Sequence, residues 1–277
     1  MTSPTRAAAP AIVTLSTSGM TRDEVVAIAR GDARVVLAPE ALAAMAAARE
    51  HVERLAVAAE PVYGISTGFG ALAQRHIPVE DRVKLQRSLV RSHAAGYGDP
   101  VEREVVRAMM ALRLKTLASG RTGARPVVAE TMAALLNAGI TPVVHEYGSL
   151  GCSGDLAPLA ACALVLMGEG HVLGDDGGPV EAGPVLAEHG IAPVELREKE
   201  GLALINGTDG MLGMLVMALA DLEQLADAAD VAAAMSVEGL LGTDAVFIPE
   251  LHEPLRPHPG RRAARRGCSP SWKVRPS

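Results

Sequence analysis

Two stretches of this sequence, Leu156–Met167 and Met211–Ala220, are apolar on every face that a helix would present. A helix of that kind has to be buried inside a bundle or an interface. Neither run reaches the roughly 20 residues needed to span a bilayer. The expectation is a soluble, cytoplasmic protein with a core of packed helices and no membrane partner. Covering both runs takes more surface than 277 residues comfortably provide. They are therefore expected to pack against other subunits or against a second half of the fold.

Composition narrows the class further. The 48 alanines favour close helix packing through small residues. Aromatic residues make up only 2% of the chain, which disfavours a β-sandwich or a surface that stacks nucleic-acid bases. The net charge of −6 also argues against a nucleic-acid partner. That charge is uneven: residues 1–260 hold 20 Lys and Arg against 32 Asp and Glu, whereas residues 261–277 hold 6 basic residues and no acid. The tail shows no helix or strand period. It reads as a disordered basic extension or, preferably, as a frameshift or truncation scar outside the fold.

Cys152, Cys162 and Cys268 lack the paired spacing of a disulfide framework, which fits a reducing compartment. The N-terminal residues do not read as a signal peptide. The histidines outside residue 93 form no H-E-x-x-H or similar pattern, so no metal site is expected.

Along the chain, Ala11–Ser16 and Arg34–Leu37 read as short strands. Between them Thr21-Arg-Asp-Glu24 is a capping-box pattern opening a helix that Gly31 ends. Pro39 precedes a long Ala-rich helix over Glu40–Ala59. Further helices are expected from Pro78 to about Ala95, over Val101–Ala118, over Pro126–Ala138 and from Leu156 to Met167. Pro61–Arg75 and His145–Gly154 read as glycine-punctuated loops, Gly168–Gly190 as a small hairpin or surface loop, and Gly201–Met235 as strongly apolar.

Gly148-Ser-Leu-Gly-Cys-Ser-Gly-Asp-Leu-Ala-Pro-Leu159 is the most informative stretch. It places three glycines within seven residues just before a helix, so the backbone can follow a strained path. The G-x-S-x-G elbow of serine hydrolases fails because Asp155 stands where Gly is needed. A phosphate loop would require Lys and Ser/Thr after the last glycine. A Cys152 thiolate at a helix N-terminus has no His paired with it in a motif. On spacing alone, a Ser/Asp helix cap after a flexible turn accounts for the pattern.

With three further blocks, Tyr63-Gly-Ile-Ser-Thr-Gly-Phe-Gly70, Ser92-His-Ala-Ala-Gly96 and Leu204-Ile-Asn-Gly-Thr208, the chain resembles the aromatic amino acid ammonia-lyases, and most of all their histidine-acting members. The blocks lie in the family's order and spacing, over the N-terminal half of a typical member. The resemblance implies a mainly α fold, in which a small mixed N-terminal region precedes a bundle of long helices, here truncated. It implies an N-terminal region over 1–200 that carries the reactive loop. The central bundle would start at 201–260, with 261–277 outside it.

It also implies a built-in electrophile, 4-methylidene-imidazol-5-one (MIO), formed from Cys152-Ser153-Gly154 with no external cofactor. Gly154 would supply an unhindered nitrogen, Ser153 a leaving hydroxyl and Cys152 only its carbonyl. Tyr63 matches the catalytic tyrosine. Its ordinary pKa near about 10 has to fall for it to act as a base near neutrality. Asn206 matches a residue that contacts the MIO carbonyl or the substrate carboxylate, and as a polar group on an apolar segment it is expected to need a partner. Ser92 and His93 match the substrate-ring site, and the Ser-His pair favours L-histidine. Asp209 stands where many relatives carry Gln.

The implied activity is non-oxidative elimination of ammonia from L-histidine to trans-urocanate by a carbon–nitrogen lyase acting as a homotetramer. Two alternatives stay open. One is a tyrosine or phenylalanine ammonia-lyase, or an aminomutase. The other is an inactive truncated fragment serving at most in subunit contact.

Overall fold

The computed structural model describes residues 11–150 and 153–243, together with Ala245, Ile248 and Leu251. The basic tail and Cys152 lie outside the described residues. The chain divides into two units between Met217 and Ala218.

The first unit starts with a β-α-β turn of chain. Strand β1 (Ile12–Leu15) pairs in parallel with β2 (Arg34–Leu37), with Val13 opposite Val35, and α1 (Arg22–Ala29) makes the crossover. The capping box forms as read: Thr21 Oγ1 accepts the Glu24 amide at 3.3 Å, and Glu24 accepts the Thr21 amide at 2.7 Å. Pro39 occupies the first turn of α2 (Pro39–Ala56), where its missing N–H costs nothing. Helix α3 (Val79–His93) follows.

A ribbon that the sequence did not reveal comes next. Strand β3 (Tyr97–Pro100) pairs antiparallel with β4 (His145–Tyr147), inside a stretch read as loop. Between them run α4 (Arg103–Ala118) and α5 (Pro126–Asn137). Then come α6 (Leu156–Leu166), the hairpin of β5 (His171–Leu173) and β6 (Pro179–Glu181), and α7 (Ala182–Glu188), where only a hairpin or loop was expected. Helices α8 (Glu200–Ile205) and α9 (Asp209–Gly239) end the described elements.

Helix α4 is the centre of the core. Met109, Met110, Leu114 and Leu117 are buried and pack with residues from α5, α6 and α8. Arg107 is fully buried there, and its guanidinium donates to the carbonyls of Leu136 at 3.1 Å and Ile28 at 2.9 Å and pairs with Asp32 at 3.0 Å. A charge in that position is tolerable only because it is paired and hydrogen-bonded. Asn137 ties α5 to the small sheet: its side chain accepts the Val35 amide at 2.7 Å and donates to the Val35 carbonyl at 2.9 Å.

Helix α6 is buried, as its all-round apolar character demands. Helix α9 differs. It continues past the apolar run ending at Ala220, through Asp221, Glu223, Asp227 and Asp230, to Gly239. The segment Glu200–Gly239 is long and apolar enough to cross a bilayer, with mean hydropathy 1.6 in its most apolar stretch, so reading Met211–Ala220 alone understated it. The core helix of a soluble bundle has the same character. In the first unit, Met211, Leu212, Met214 and Leu215 are 44–54% exposed. In the second, Leu222, Leu225, Val231 and Met235 are exposed as well.

Candidate active site

The four blocks are far apart in sequence and meet in pairs through their glycines. Gly154 has φ +134°, which side-chain-bearing residues rarely adopt, and a Cβ there would run into the Gly207 peptide. This close approach joins the Ser153 loop to the Asn206 turn. A Cβ on Gly148 would lie 3.3 Å from Gly96 Cα, which joins the Ser153 loop to the end of the His93 helix. A Cβ on Gly64 would lie 3.3 Å from Leu202 Cδ2, which sets the Tyr63 loop against α8.

Asp155 ties its own loop to the turn that leads into α9. Its amide donates to the Gly207 carbonyl at 2.6 Å, Oδ1 accepts the Ser149 hydroxyl at 2.7 Å, and Oδ2 accepts the Met211 amide at 3.0 Å. A Ser/Asp cap of the following helix was the reading from spacing alone. The structure corrects it: the Asp155 side chain caps α9 rather than its own helix α6. A carboxylate fits that place because the first amides of a helix are unpaired and carry positive charge.

Tyr63 sits on a turn fixed by two buried hydroxyls. Ser66 Oγ accepts the Val62 amide at 2.9 Å and Thr67 Oγ1 the Gly64 amide at 3.3 Å. Its ring meets Phe69 edge-on at 6.1 Å and is 53% exposed. His93, half-buried, ends α3, and its Nδ1 lies 2.8 Å from the Leu89 carbonyl oxygen. A carbonyl only accepts, so Nδ1 carries a proton, and in the neutral form of the ring that tautomer leaves Nε2 as an acceptor. Ser92 Oγ donates to the same carbonyl at 2.9 Å and lies 3.1 Å from His93 Nδ1.

Asn206 was expected to need a partner as a polar group on an apolar segment. The structure puts it at the C-cap of α8, exposed, and among the described residues only its backbone is engaged: its amide bonds to Leu202 and its carbonyl to Arg113. Ser153 is exposed too. Among the described residues no hydrogen bond engages the side chains of Ser153 and Asn206, which flank the Gly154–Gly207 contact. No hydrogen bond among the described residues joins Tyr63 or His93 to Ser153.

The residues present fit an MIO group formed in place. Gly154 has no room for a side chain, the exposed Ser153 hydroxyl has no hydrogen-bond partner among the described residues, and the Asp155 amide is anchored next to them. Cys162, on α6 behind the loop, is no alternative nucleophile, because burial pushes its thiol up to about 12. Among the described residues no cluster of His, Cys, Asp and Glu could hold a metal ion. A cavity of about 350 Å³ borders α6 beside Gly96, His145 and Ala161, and its lining includes none of Tyr63, Ser153 and Asn206.

Arg113 escaped the sequence reading, which took in Gly207 only as part of the Leu204–Thr208 block. Arg113 Nη1 donates to the carbonyls of Ala203 at 3.1 Å and Asn206 at 3.4 Å, and Nη2 pairs with Asp209. The signal was available: an arginine inside the run Met-Met-Ala-Leu-Arg-Leu implies a buried anion or carbonyls to receive it.

The fold and this loop define a class, and the chain belongs to the aromatic amino acid lyase family, whose signature matches residues 20–267. Within that family it is 68% identical to histidine ammonia-lyase of Streptomyces avermitilis over 91% of its own length and 49% of the relative's. It is 45% identical to tyrosine ammonia-lyase of Cupriavidus metallidurans over 87% of its length and 45% of the relative's. Among solved structures it resembles tyrosine aminomutase from Streptomyces globisporus, with TM-score 0.86 and 41% identity over 93% of this chain and 48% of that one. The chain therefore spans about half the length of the relatives it matches.

Proposed function

We propose that this chain supplies the electrophile-bearing half of a site that eliminates ammonia from L-histidine to give trans-urocanate. The observation that carries this reading is the contact of Gly154 with Gly207, which puts the Ser153 loop and Asn206 in one place. The higher identity to a histidine than to a tyrosine ammonia-lyase favours histidine as substrate.

Formation of the group would use this chain's own atoms. The Gly154 nitrogen bonds to the Cys152 carbonyl carbon, and the carbonyl oxygen leaves as water with the hydrogens of the Gly154 and Ser153 amides, so that this carbon becomes doubly bonded to the Ser153 nitrogen. Ser153 then loses its hydroxyl and its Cα hydrogen as a second water. When present, the group supplies an electrophilic methylidene carbon that makes loss of ammonia feasible.

The remaining roles fall to side chains. Asn206 Nδ2 is free to donate to the substrate carboxylate. Tyr63, on the loop beside α8, would take the substrate's β-proton. His93 Nε2, left as an acceptor, would receive the N–H of the substrate imidazole, which a phenol or phenyl ring cannot offer in the same way. Full activity is assigned to the assembled homotetramer in the cytoplasm, where other chain segments cover the exposed face of α9.

Product analysis tests the proposal. This chain is co-produced with the second half of its Streptomyces avermitilis relative and offered L-histidine, L-tyrosine and L-phenylalanine in turn. Trans-urocanate and ammonia from histidine are the expected result. Coumarate, cinnamate or β-amino acids as the main product would move the chain to the tyrosine or phenylalanine enzymes or the aminomutases. No product from any of them would favour a role confined to subunit contact.

A further inference from the structure

We infer that the buried Arg113–Asp209 pair is a positioning device that shapes the Asn206-Gly207 turn and, through it, holds the Ser153 loop in place for maturation. The inference rests on the reading above that Ser153 and Gly154 form the electrophile.

The pair straddles the turn between two helices. Arg113 reaches across from α4 and puts Nη1 on the last carbonyls of α8, where unpaired acceptors and the negative end of the helix gather. Asp209 is the first residue of α9, where negative charge is favoured. Their contact closes the gap over Gly207, and a Cβ at Gly207 would overlap Arg113 Nη2. The Gly207 carbonyl then faces the Asp155 amide, next to Gly154.

Stability is a poor explanation for the pair. Arg113 is 3% exposed, and its Nε is buried with no hydrogen-bond partner among the described residues. Burial pushes the Asp209 carboxyl up and the Arg113 guanidinium down, each charge offsetting part of the other's shift. A well-packed apolar pair in such a place is often as stable or more so. What an apolar pair lacks is the fork that fixes two carbonyls and one carboxylate at once.

The test compares this chain, co-produced with the second half of its Streptomyces avermitilis relative, with its Arg113→Lys and Asp209→Asn variants by segment-resolved hydrogen exchange and by intact mass. Lys keeps the charge and loses the fork; Asn keeps the volume and loses the charge. The expected result is a rise of about tenfold or more in exchange at residues 153–156 and 206–212, as loss of a charge-assisted bond implies. The α4 and α5 segments keep their protection, and the fraction of chains lacking two waters falls. Unchanged exchange at both segments overturns the inference. So does loss of protection throughout the chain, which would make the pair a general structural one. If the unsubstituted chain never loses two waters but the local exchange pattern appears, the positioning role stands and the electrophile reading fails.

Discussion

The Asp155 amide lies 2.6 Å from the carbonyl oxygen of Gly207, a bond that spans more than fifty residues of chain. It puts the nitrogen that follows the reactive triplet under control of the Asn206 turn. A substitution that moves either end should therefore act on maturation before it acts on folding.

Gly207→Ala provides such a change. The added methyl would overlap Arg113 Nη2 and lie 2.6 Å from Asp209 Oδ2, so the Arg113–Asp209 pair must give way. Overpacking of this sort costs about 1–3 kcal/mol. The expected outcome is a modest fall in melting temperature with complete loss of the two-water mass change. A variant that matured normally would show that the turn does not govern the loop.

His93→Leu tests the substrate ring site in the assembled enzyme. Losing a hydrogen bond to the substrate ring costs about 1–3 kcal/mol, roughly 5–150-fold in relative kcat/KM for histidine against tyrosine. Equal ratios in both proteins would remove His93 from ring recognition.

The fold was legible wherever local chemistry decides structure. The Thr21–Glu24 box, Pro39 and the all-round apolar Leu156–Leu166 each formed the expected element because cap, ring and burial act within a few residues. The β3–β4 ribbon was not legible. Tyr97 and Tyr147 pair across fifty residues, and their glycine-flanked segments carry no alternating pattern. The site divided in the same way. The glycines and Ser153 stand out as a cluster, whereas Arg113 acts on a turn some ninety residues away and looks from sequence like one more helix arginine.

Acid should loosen the contact between α3 and the turn after α6. Burial raises Glu169, but Arg91 and Arg87, bonded to it at 2.7 and 2.8 Å, hold its carboxyl below the ordinary range. A lowered carboxylate contributes stability that is present above its unfolded value, near about 4.3, and is lost as pH falls through its folded value. Because both arginines are more than half exposed, the effect is at most about 1 kcal/mol. Thermal melts from pH 6 down to pH 3 should fall more steeply for the unsubstituted chain than for Glu169→Gln. Parallel curves would assign the acid sensitivity elsewhere.

The exposed face of α9 predicts how the chain behaves alone. Met211, Leu212, Met214 and Leu215 form an uncovered apolar surface, which proteins in solution seldom tolerate. Light scattering of the purified 277-residue chain should show aggregation or ill-defined association, with little lyase activity. A clean, active tetramer of this chain would contradict that.

The most direct measurement of the central claim is the mass of the peptide containing Ser153, isolated from protein produced with and without Ser153→Ala. The unsubstituted peptide should lack two waters, one from the Cys152 carbonyl and one from Ser153. Ser153→Ala has no hydroxyl to lose, so its peptide cannot lack the second water. An unsubstituted peptide at full mass, from a chain that nonetheless turns histidine into urocanate, would contradict the account.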